Sequence, residues 1–432
     1  MLQGRAMHPG DASLWARLGV PAPRFVGSNA VDLLEGGDQL FPRMCEAIAG
    51  ARREVWLATY IFHDDSAGRR IADALLDADR RGIAVHLVVD GFGSLATLPT
   101  LRAWLAGSGV RLEVFRALDR WWAWLQPGQL RRLHQKLCVV DQRTAFVGGI
   151  NVIEDRNDLN HGWTETPRLD FAIEVRGPLA RQVHATTRAM WARANLGHGW
   201  RDEVRALARS SQPLDRGLAL LRRLRARESR QRRQSAEMAA RPVRAAFVVR
   251  DNFRQRRAIE RSYIEALRSA RERIDIAVPY FYPGQGFRRA LRLAARRGVQ
   301  VRLLLQGKID YRIAAMAARA LYAELGAHGV RIFEYMPAFL HAKVAVVDDD
   351  WATVGSSNID PLSLLLNLEA NVVVRDASFA AALRTRFEAA LAVSAEVAQP
   401  TERRGWRSWL HRGAVAWAAN LYLRLAGITG RY

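Results

Sequence analysis

The chain has 432 residues, enough for two to three domain-sized units that each bury a core. Its composition is that of an ordinary globular protein, with 49% hydrophobic and 25% charged residues. The two cysteines, Cys45 and Cys138, exclude a disulfide framework and a cysteine-based zinc site. We find neither a signal peptide nor the roughly 20 consecutive apolar residues of a membrane span.

The charge is unusual: 65 lysines and arginines against 43 acidic residues give a formal net charge of +22. Such a surplus predicts attraction to polyanions, whether nucleic acid, an anionic membrane surface or phosphorylated substrates. Only three of the basic residues are lysines, namely Lys136, Lys308 and Lys343. Each lysine therefore stands out, because an ammonium is a compact point charge and a guanidinium is a planar fork.

Two distant segments of the chain resemble each other. The sequence ARREVWLATY at 51–60 is similar to ARERIDIAVPY at 270–280. A helix-like stretch that ends in Arg-Arg-Gly follows each segment and leads into an apolar run, at 83–89 and 299–305. The pattern predicts strand, helix, strand, twice.

Short β-rich runs that end in an aspartate follow at 137–140 and 344–347. A second short strand is predicted immediately after each, at 145–147 and 352–354. The chain is therefore predicted to be an α/β protein in which two halves of similar plan lie end to end and share an interface.

The segment between the halves, 201–244, is crowded with arginine and carries leucines at helical spacing. It is either a solvated helical linker or a helix that contacts lipid. The C-terminal tail mixes aromatic residues with arginines, which suits either a membrane interface or a helix docked on the body. We predict an N-terminal extension, a first lobe, a basic connector, a second lobe and a tail, at residues 1–28, 29–200, 201–244, 245–398 and 399–432.

One constellation of residues occurs once in each half with identical spacing. A histidine is followed by a lysine two residues later, an aspartate at seven, a glycine at fourteen and an asparagine at seventeen. The two histidines are 207 residues apart. The members are His134, Lys136, Asp141, Gly148 and Asn151 in the first half, and His341, Lys343, Asp348, Gly355 and Asn358 in the second.

This spacing suits chemistry on a phosphodiester. Residues i and i+2 of a strand point to the same face, so each histidine lies beside its lysine. Two such strands facing each other would place two ammonium groups on the phosphoryl oxygens. One imidazole could then attack phosphorus while the other protonates the departing alkoxide. The lysines supply the positive charge, so neither a metal nor a cofactor is expected.

These residues resemble the paired HxKxxxxD motifs of the phospholipase D superfamily. The resemblance implies two α/β/α lobes related by a pseudo-two-fold axis, one active site at their interface and a covalent phosphohistidine intermediate. It also implies that Asn151, Asn358 and the residue after the first glycine support the substrate phosphate. That residue is Ser356 in the second half, whereas the first half has Gly149 where the superfamily often has serine.

The resemblance also implies an acidic residue downstream that orients each histidine. We predict Asp170 as the partner of His134, with Glu165 as the alternative, and Glu369 as the partner of His341. The motif aspartates, Asp141 and Asp348, are expected to brace the strand-turn-strand rather than to touch substrate.

From about Asn29 to about Val393 the chain is similar to bacterial cardiolipin synthases of the B type. The similarity is carried by the segments 60–62, 90–94, 131–136, 146–151 and 351–371. It implies transfer of a phosphatidyl group, from phosphatidylglycerol, to the hydroxyl of a second phospholipid. The similarity also implies a peripheral protein on the cytoplasmic side of the bacterial inner membrane, bound to an anionic phospholipid surface. Neither a nucleic acid nor an obligate protein partner is expected.

Several alternatives remain open at this point. Trp121, Trp122 and Trp124 precede the first motif and form either an acyl-chain entrance or buried packing. We assign the nucleophile to His134 and the acid and base role to His341, although the two halves are nearly symmetric. The rival functions are a phospholipase D that uses water as acceptor and a nuclease of the same superfamily.

Overall fold

A computed structural model describes residues 20, 22–117, 131–208, 242–251, 255–308, 319, 321–360, 363–364 and 367–398, with backbone only for 196–208. Several predictions concern residues outside these ranges. They are the N-terminal extension up to residue 19, the three tryptophans at 121–124, most of the basic connector and the C-terminal tail. No described helix is both long enough and apolar enough to cross a membrane.

The first lobe alternates strands and helices before it closes with antiparallel strands. Its elements are β1 (Val26–Glu35), α1 (Gly36–Ala49), β2 (Glu54–Thr59), α2 (Ser66–Arg80), β3 (Ala84–Asp90), α3 (Leu98–Leu105), β4 (Arg111–Phe115), β5 (Lys136–Val140), β6 (Thr144–Gly148), the short pair β7 (Asn157–Asp158) and β8 (Gly162–Trp163), β9 (Phe171–Arg176) and α4 (Pro178–Ala208).

The second lobe repeats this plan. Its elements are β10 (Val243–Arg250), α5 (Ala258–Ser269), β11 (Arg273–Val278), α6 (Gln285–Arg296), β12 (Gln300–Gln306), β13 (Val330–Tyr335), β14 (Val344–Val347), β15 (Trp351–Gly355), β16 (Glu369–Arg375), α7 (Ala377–Ala392) and β17 (Ser394–Glu396). Every predicted strand of the repeat is present, with ends that differ by no more than three residues.

The described strands, apart from the pair β7–β8, form one continuous sheet that contains both lobes. Its order is β17-β13-β12-β11-β14-β15-β16-β10-β1-β9-β6-β5-β2-β3-β4. The lobes meet where β1 pairs antiparallel with β10. Outward from that seam the two halves have equivalent strands with the same directions, except that β17 adds one strand at the edge of the second half. Only the β2–β3–β4 and β11–β12–β13 groups are parallel. The predicted two-lobed α/β fold with a pseudo-two-fold axis is confirmed.

Three hydrophobic cores hold the layers together. Helices α1 to α3 cover the outer face of the first lobe, and α5 and α6 cover that of the second. Helices α4 and α7 lie on the inner face and share a central core with strands of both lobes. Leu383 of α7 and Leu179 of α4 are fully buried there, and each such side chain contributes about 1.5–3 kcal/mol by leaving water. The central core fixes the two lobes relative to each other.

The Arg-Arg-Gly sequences have the same structural role in both lobes. Gly82 and Gly298 adopt positive φ angles of 79° and 86° just after α2 and α6, a conformation that favours glycine at a helix end. The arginine before each glycine, Arg81 or Arg297, donates to the last carbonyl groups of the preceding helix, α1 or α5. The repeat therefore encodes how consecutive helices pack.

The structure places three of the predicted domain boundaries differently. Strand β10 begins at Val243, two residues before the predicted start of the second lobe at 245. Helix α4 continues without a break from the first lobe to residue 208, across the predicted boundary at 200. Strand β1 begins at Val26, three residues before the predicted start of the lobe, because its first residues pair with β10 of the other lobe.

Candidate active site

Backbone pairing across the pseudo-two-fold axis brings the two motifs together. The residues just before His134 run parallel to those just before Glu369, with a bridge between Leu133 and Leu368. The backbone N–H of His134 donates to Leu368 O at 3.0 Å. The symmetric bridge joins Leu169 to Leu340, and His341 N–H donates to Leu169 O at 2.8 Å. Each histidine is thus anchored to the acid-bearing segment of the opposite lobe.

The predicted pairing of histidines and acids is wrong for this reason. Nδ1 of His134 lies 3.0 Å from Oε2 of Glu369, and Nδ1 of His341 lies 2.5 Å from Oδ2 of Asp170. Both partnerships cross the lobe interface. The prediction assumed that each acid serves its own half, and nothing in the linear spacing could reveal the exchange. Glu165, the alternative partner, is exposed and accepts from Arg156 through its backbone carbonyl instead.

The two lysines lie beside the histidines of both lobes. Lys136 donates to the carbonyl of His134 at 2.7 Å, and Lys343 donates to the carbonyl of His341. Each lysine also lowers the pKa of the histidine in the opposite lobe, which requires all four groups to lie close together. The predicted cluster of two imidazoles and two ammonium groups is therefore present.

Burial gives the lysines an unusual electrostatic state. It lowers the pKa of Lys136 to about 8, with Glu369 opposing the shift, and it lowers the pKa of Lys343 to about 7, with Asp170 opposing. Without a bound anion, the two lysines therefore lose their protons more readily near neutral pH than exposed lysines do. A bound phosphodiester would stabilise both charges, because its non-bridging oxygens supply the missing counter-charge.

The two histidine–carboxylate pairs differ in where they hold protons. Burial disfavours the charged form of Glu369, but His134, Lys136 and Ser356 outweigh it and lower the pKa of Glu369. Burial raises the pKa of Asp170 to about 7, with Lys343 opposing, and lowers the pKa of His341 well below its usual value. The first pair is thus an ionised carboxylate with a neutral imidazole, whereas the second can share one proton near neutral pH.

A serine in one lobe and a glycine in the other contribute to this difference, after burial and the charges of the histidines and lysines. Ser356 donates through Oγ to Oε2 of Glu369 at 2.6 Å. The equivalent Gly149 has no side chain, and a Cβ there would lie 2.3 Å from Oδ1 of Asp170. The Asp170 carboxylate occupies the space that a serine would fill. The departure from the serine common in the superfamily therefore has a steric reason.

The motif aspartates lie away from the reacting groups. Asp141 follows β5 at the end opposite to His134, and its carboxylate accepts the backbone N–H groups of 52, 53 and 54 at 2.8–3.0 Å. Asp348 accepts those of 271, 272 and 273 in the same way. Both adopt positive φ, 52° and 48°, in the tight turn. These contacts hold the turn against the start of the neighbouring strand, as the predicted bracing role requires.

The two motif asparagines are buried on the loops that follow β6 and β15. Oδ1 of Asn151 accepts the backbone N–H of Ile61 at 3.3 Å, which ties the loop to the end of β2. Oδ1 of Asn358 is buried without a hydrogen-bond partner among the described residues. Their positions in the two lobes are equivalent, whereas their contacts differ.

The sequence prediction missed three residues that surround this cluster. The ring of Tyr60 lies 5.1 Å from that of His134 and 5.5 Å from the ammonium nitrogen of Lys136. The strand registers place Pro279, not Tyr280, at the equivalent position of the second lobe. Arg250 is 1% exposed and pairs in register with Glu369, and Arg168 lies close enough to lower the pKa of His341. An arginine directly after the apolar run 245–249 is the one signal that could have pointed to Arg250.

Within the described ranges, no group of three or more histidine, cysteine, aspartate or glutamate side chains could hold a metal ion. The chemistry available from the described side chains is that of two imidazoles, two ammonium groups and two buried carboxylates. Such a set can neutralise a phosphate, form a bond to phosphorus and transfer a proton.

Comparisons with known proteins identify the family of this chain. The family model described as "Cardiolipin synthase, PLD-like domain" matches residues 44–164 and 263–391, one match in each lobe. Cardiolipin synthase B of Salmonella typhimurium is 38% identical over 363 residues, covering 83% of this chain and 80% of its own. The Escherichia coli K12 protein of the same name is 34% identical over 381 residues, covering 88% and 84%.

A solved structure shares the fold over nearly the whole chain. The phosphatidylserine synthase of Haemophilus influenzae superposes with a TM-score of 0.64 over 96% of this chain and 99% of its own, at 12% sequence identity. At that identity the similarity concerns the fold alone. The two matches to the family model, the extended identity to cardiolipin synthases B and the duplicated His-Lys site show that the chain belongs to the cardiolipin synthase family of phospholipase D-like proteins.

Proposed function

We propose that this protein is a cardiolipin synthase, which transfers a phosphatidyl group from phosphatidylglycerol to the hydroxyl of a second phospholipid. The observation that carries the proposal is the convergence of His134, Lys136, His341 and Lys343 from two lobes, with each histidine held by a carboxylate of the other lobe. Relatives that match over four-fifths of the chain carry that name.

In the first half-reaction, His134 attacks the phosphorus of the donor lipid. Its Nδ1–H is bound to Glu369, so Nε2 carries the lone pair that forms the P–N bond. Lys136 and Lys343 neutralise the non-bridging oxygens as charge develops on them. The bond from phosphorus to the glycerol headgroup oxygen breaks, and the proton held by His341 and Asp170 passes to that oxygen.

The second half-reaction uses the same groups in reverse. The acceptor hydroxyl gives its proton to Nε2 of His341 and attacks phosphorus, and the P–N bond breaks to regenerate His134. The products are cardiolipin and the starting enzyme. No oxidant, reductant or further reactant enters the balance.

The difference between the two carboxylates supports His134 as the nucleophile. A nucleophilic imidazole must start neutral and become positively charged as the P–N bond forms, which the ionised Glu369 favours. An acid must start with a proton to give, which the His341–Asp170 pair provides through the raised pKa of Asp170. The side chain of His341 is also more exposed than that of His134, 23% against 13%, as an exchange of alcohols requires.

We place the protein at the cytoplasmic face of the bacterial inner membrane as a peripheral enzyme. The net charge of +22 supports attraction to anionic lipids, which is worth about 1 kcal/mol for each basic residue near the surface. The predicted membrane contacts of the three tryptophans and of the tail concern residues outside the described ranges.

The test is to incubate the purified chain with vesicles of labelled phosphatidylglycerol, with and without a chelator, and to separate the lipid products. We expect cardiolipin and free glycerol in equal amounts at similar rates in both conditions. Phosphatidic acid as the sole product would favour the phospholipase D alternative. Metal-independent degradation of DNA with no change in the lipid would favour the nuclease.

A further inference from the structure

The residues that support the two histidine-bearing segments differ between the lobes. In the first lobe, Asp90 ends β3 and its Oδ2 accepts the backbone N–H of Leu133 at 2.8 Å. In the second lobe, Gln306 ends β12 and its Oε1 accepts that of Leu340 at 2.6 Å. The two side chains hold the segments that lead to His134 and His341. One is a carboxylate and the other is a neutral amide.

A cation over an aromatic ring lies beside each of these side chains, with the two partners exchanged. In the first lobe the guanidinium of Arg132 lies 5.1 Å from the ring centroid of Phe92. In the second lobe the equivalents of these two residues are Phe339 and Lys308, and the ammonium lies 5.8 Å from the ring centroid. In the first lobe the cation is Arg132, on the segment before the histidine, whereas in the second lobe it is Lys308, on the loop after β12.

The exchange leaves the two cations with different partners. Arg132 lies 4.0 Å from the carboxylate of Asp90, and Arg116 and Arg131 lie close to the same pair. Lys308 donates to the backbone carbonyl of Pro337 at 3.1 Å, and no carboxylate of the described residues lies within ion-pair distance of it. Because Gln306 stands in place of that carboxylate, the ammonium of Lys308 has no carboxylate partner among the described residues. Lys308 is the third of only three lysines in the chain.

The position of this charge matters for the second half-reaction. Phe339, on which Lys308 lies, is two residues before His341, the group assigned to exchange protons with the leaving and entering alcohols. The ring of His161 from the first lobe lies 4.9 Å from Phe339 and is fixed by Asp158, so residues of both lobes enclose this side of the site. The departing glycerol carries no phosphate of its own, whereas an entering phospholipid does.

Building on the proposed function, we propose that Lys308 and its surroundings form a second anion subsite, which binds the phosphate of the acceptor phospholipid while its terminal hydroxyl approaches His341. A cation packed on Phe339, two residues before His341, would favour a phospholipid over water or a neutral alcohol as acceptor. The subsite would therefore favour transfer of the phosphatidyl group to a phospholipid over hydrolysis of the phosphoenzyme by water.

The test measures how the phosphoenzyme partitions between two acceptors. Phosphatidylglycerol vesicles are supplied with a fixed concentration of ethanol, and the ratio of cardiolipin to phosphatidylethanol is determined. We expect Lys308→Met to lower this ratio roughly tenfold, as loss of one charge-assisted contact predicts, and Lys308→Arg to lower it less. Because both products come from one intermediate, the ratio does not depend on how much of the variant is folded.

Arg296→Met is the matched control, since it removes one exposed positive charge from the same lobe at the opposite ends of the strands. An unchanged ratio in Lys308→Met, or an equal fall in Arg296→Met, would overturn the subsite. If the wild-type protein forms phosphatidylethanol but no cardiolipin, the proposed function fails as well, which is a distinct result.

Discussion

Nδ1 of His134 lies 3.0 Å from the carboxylate of Glu369, a residue 235 positions later in the chain and in the other lobe. Neither lobe can therefore complete a catalytic pair without the other. The bridge between Leu133 and Leu368 places both residues, so correct packing of the interface is a condition of activity.

The assignment of the nucleophile predicts different behaviour for the two histidine variants. With a phosphatidyl donor whose leaving group is p-nitrophenol, no acid is needed for the first step. We expect His341→Ala to release about one equivalent of nitrophenol per enzyme in a burst and then to stall, because the base of the second step is missing. His134→Ala should show no burst, and the opposite pattern would exchange the two roles.

The crossed carboxylates predict which step each one supports. Glu369→Gln should slow the nitrophenol burst by at least roughly 100-fold, because the amide cannot stabilise the developing charge on His134. Asp170→Asn should leave the burst nearly intact and slow the turnover that follows it. Rapid-mixing absorbance measurements separate the two phases. Equal effects of both substitutions on the burst would contradict the assignment.

The glycine at position 149 predicts a steric effect on the acid pair. Gly149→Ser would place its Cβ only 2.3 Å from Oδ1 of Asp170, so the carboxylate must shift from its present contact with His341. We expect kcat to fall roughly tenfold or more, as loss of an acid and base partner predicts. Gly27→Ser, at a glycine with open space around it, is the control and should retain wild-type kcat. Full activity of Gly149→Ser would show that the Asp170 contact is dispensable.

The buried ionisable groups predict a bell-shaped pH dependence of kcat/KM. Burial lowers the pKa of His134, so the neutral nucleophile persists below pH 6.5 and the acid limb lies there. The pKa values of Lys343 and Lys136, about 7 and about 8, mean that the ammonium groups are lost as pH rises through this window, and kcat/KM then falls. Lys343→Arg keeps its charge and should shift the alkaline limb upward. If kcat/KM still increased with pH above pH 8, the predicted role of these charges would be contradicted.

The motif aspartates predict an effect on stability rather than on chemistry. Asp141→Ala removes the acceptor of three backbone N–H groups and should lower the free energy of unfolding by about 1–3 kcal/mol. Asp348→Ala should behave alike. Denaturant titration measures the loss, and kcat determined where both variants are folded should remain near that of the wild type. Asp141→Gly loses the same hydrogen bonds, but glycine adopts a positive φ without strain. The difference in unfolding free energy between Asp141→Ala and Asp141→Gly therefore measures the cost of the positive φ. A large fall in kcat of the folded Asp141→Ala protein would return this residue to the catalytic groups.

The sequence by itself determined the repeat, the strands and the identity of the central groups. Alternation within a strand fixes that His134 and Lys136 share a face, and two copies with equal spacing predict a duplicated lobe. These features are local, because they depend on residues a few positions apart. Even the bracing role of Asp141 follows from its place at a strand end.

Only the tertiary structure decided which carboxylate serves which histidine. The exchange of Asp170 and Glu369 arises from backbone pairing between segments of different lobes, which no spacing along the chain encodes. The same holds for the difference between the two sides of the site. Gly149 and Lys308 stand out in the sequence and Gln306 does not, but only the structure shows that a carboxylate lies beside Gly149 and that an amide lies where Lys308 would need a carboxylate. Contacts between residues far apart in the chain set the protonation states, on which the proposed assignment of nucleophile and acid depends.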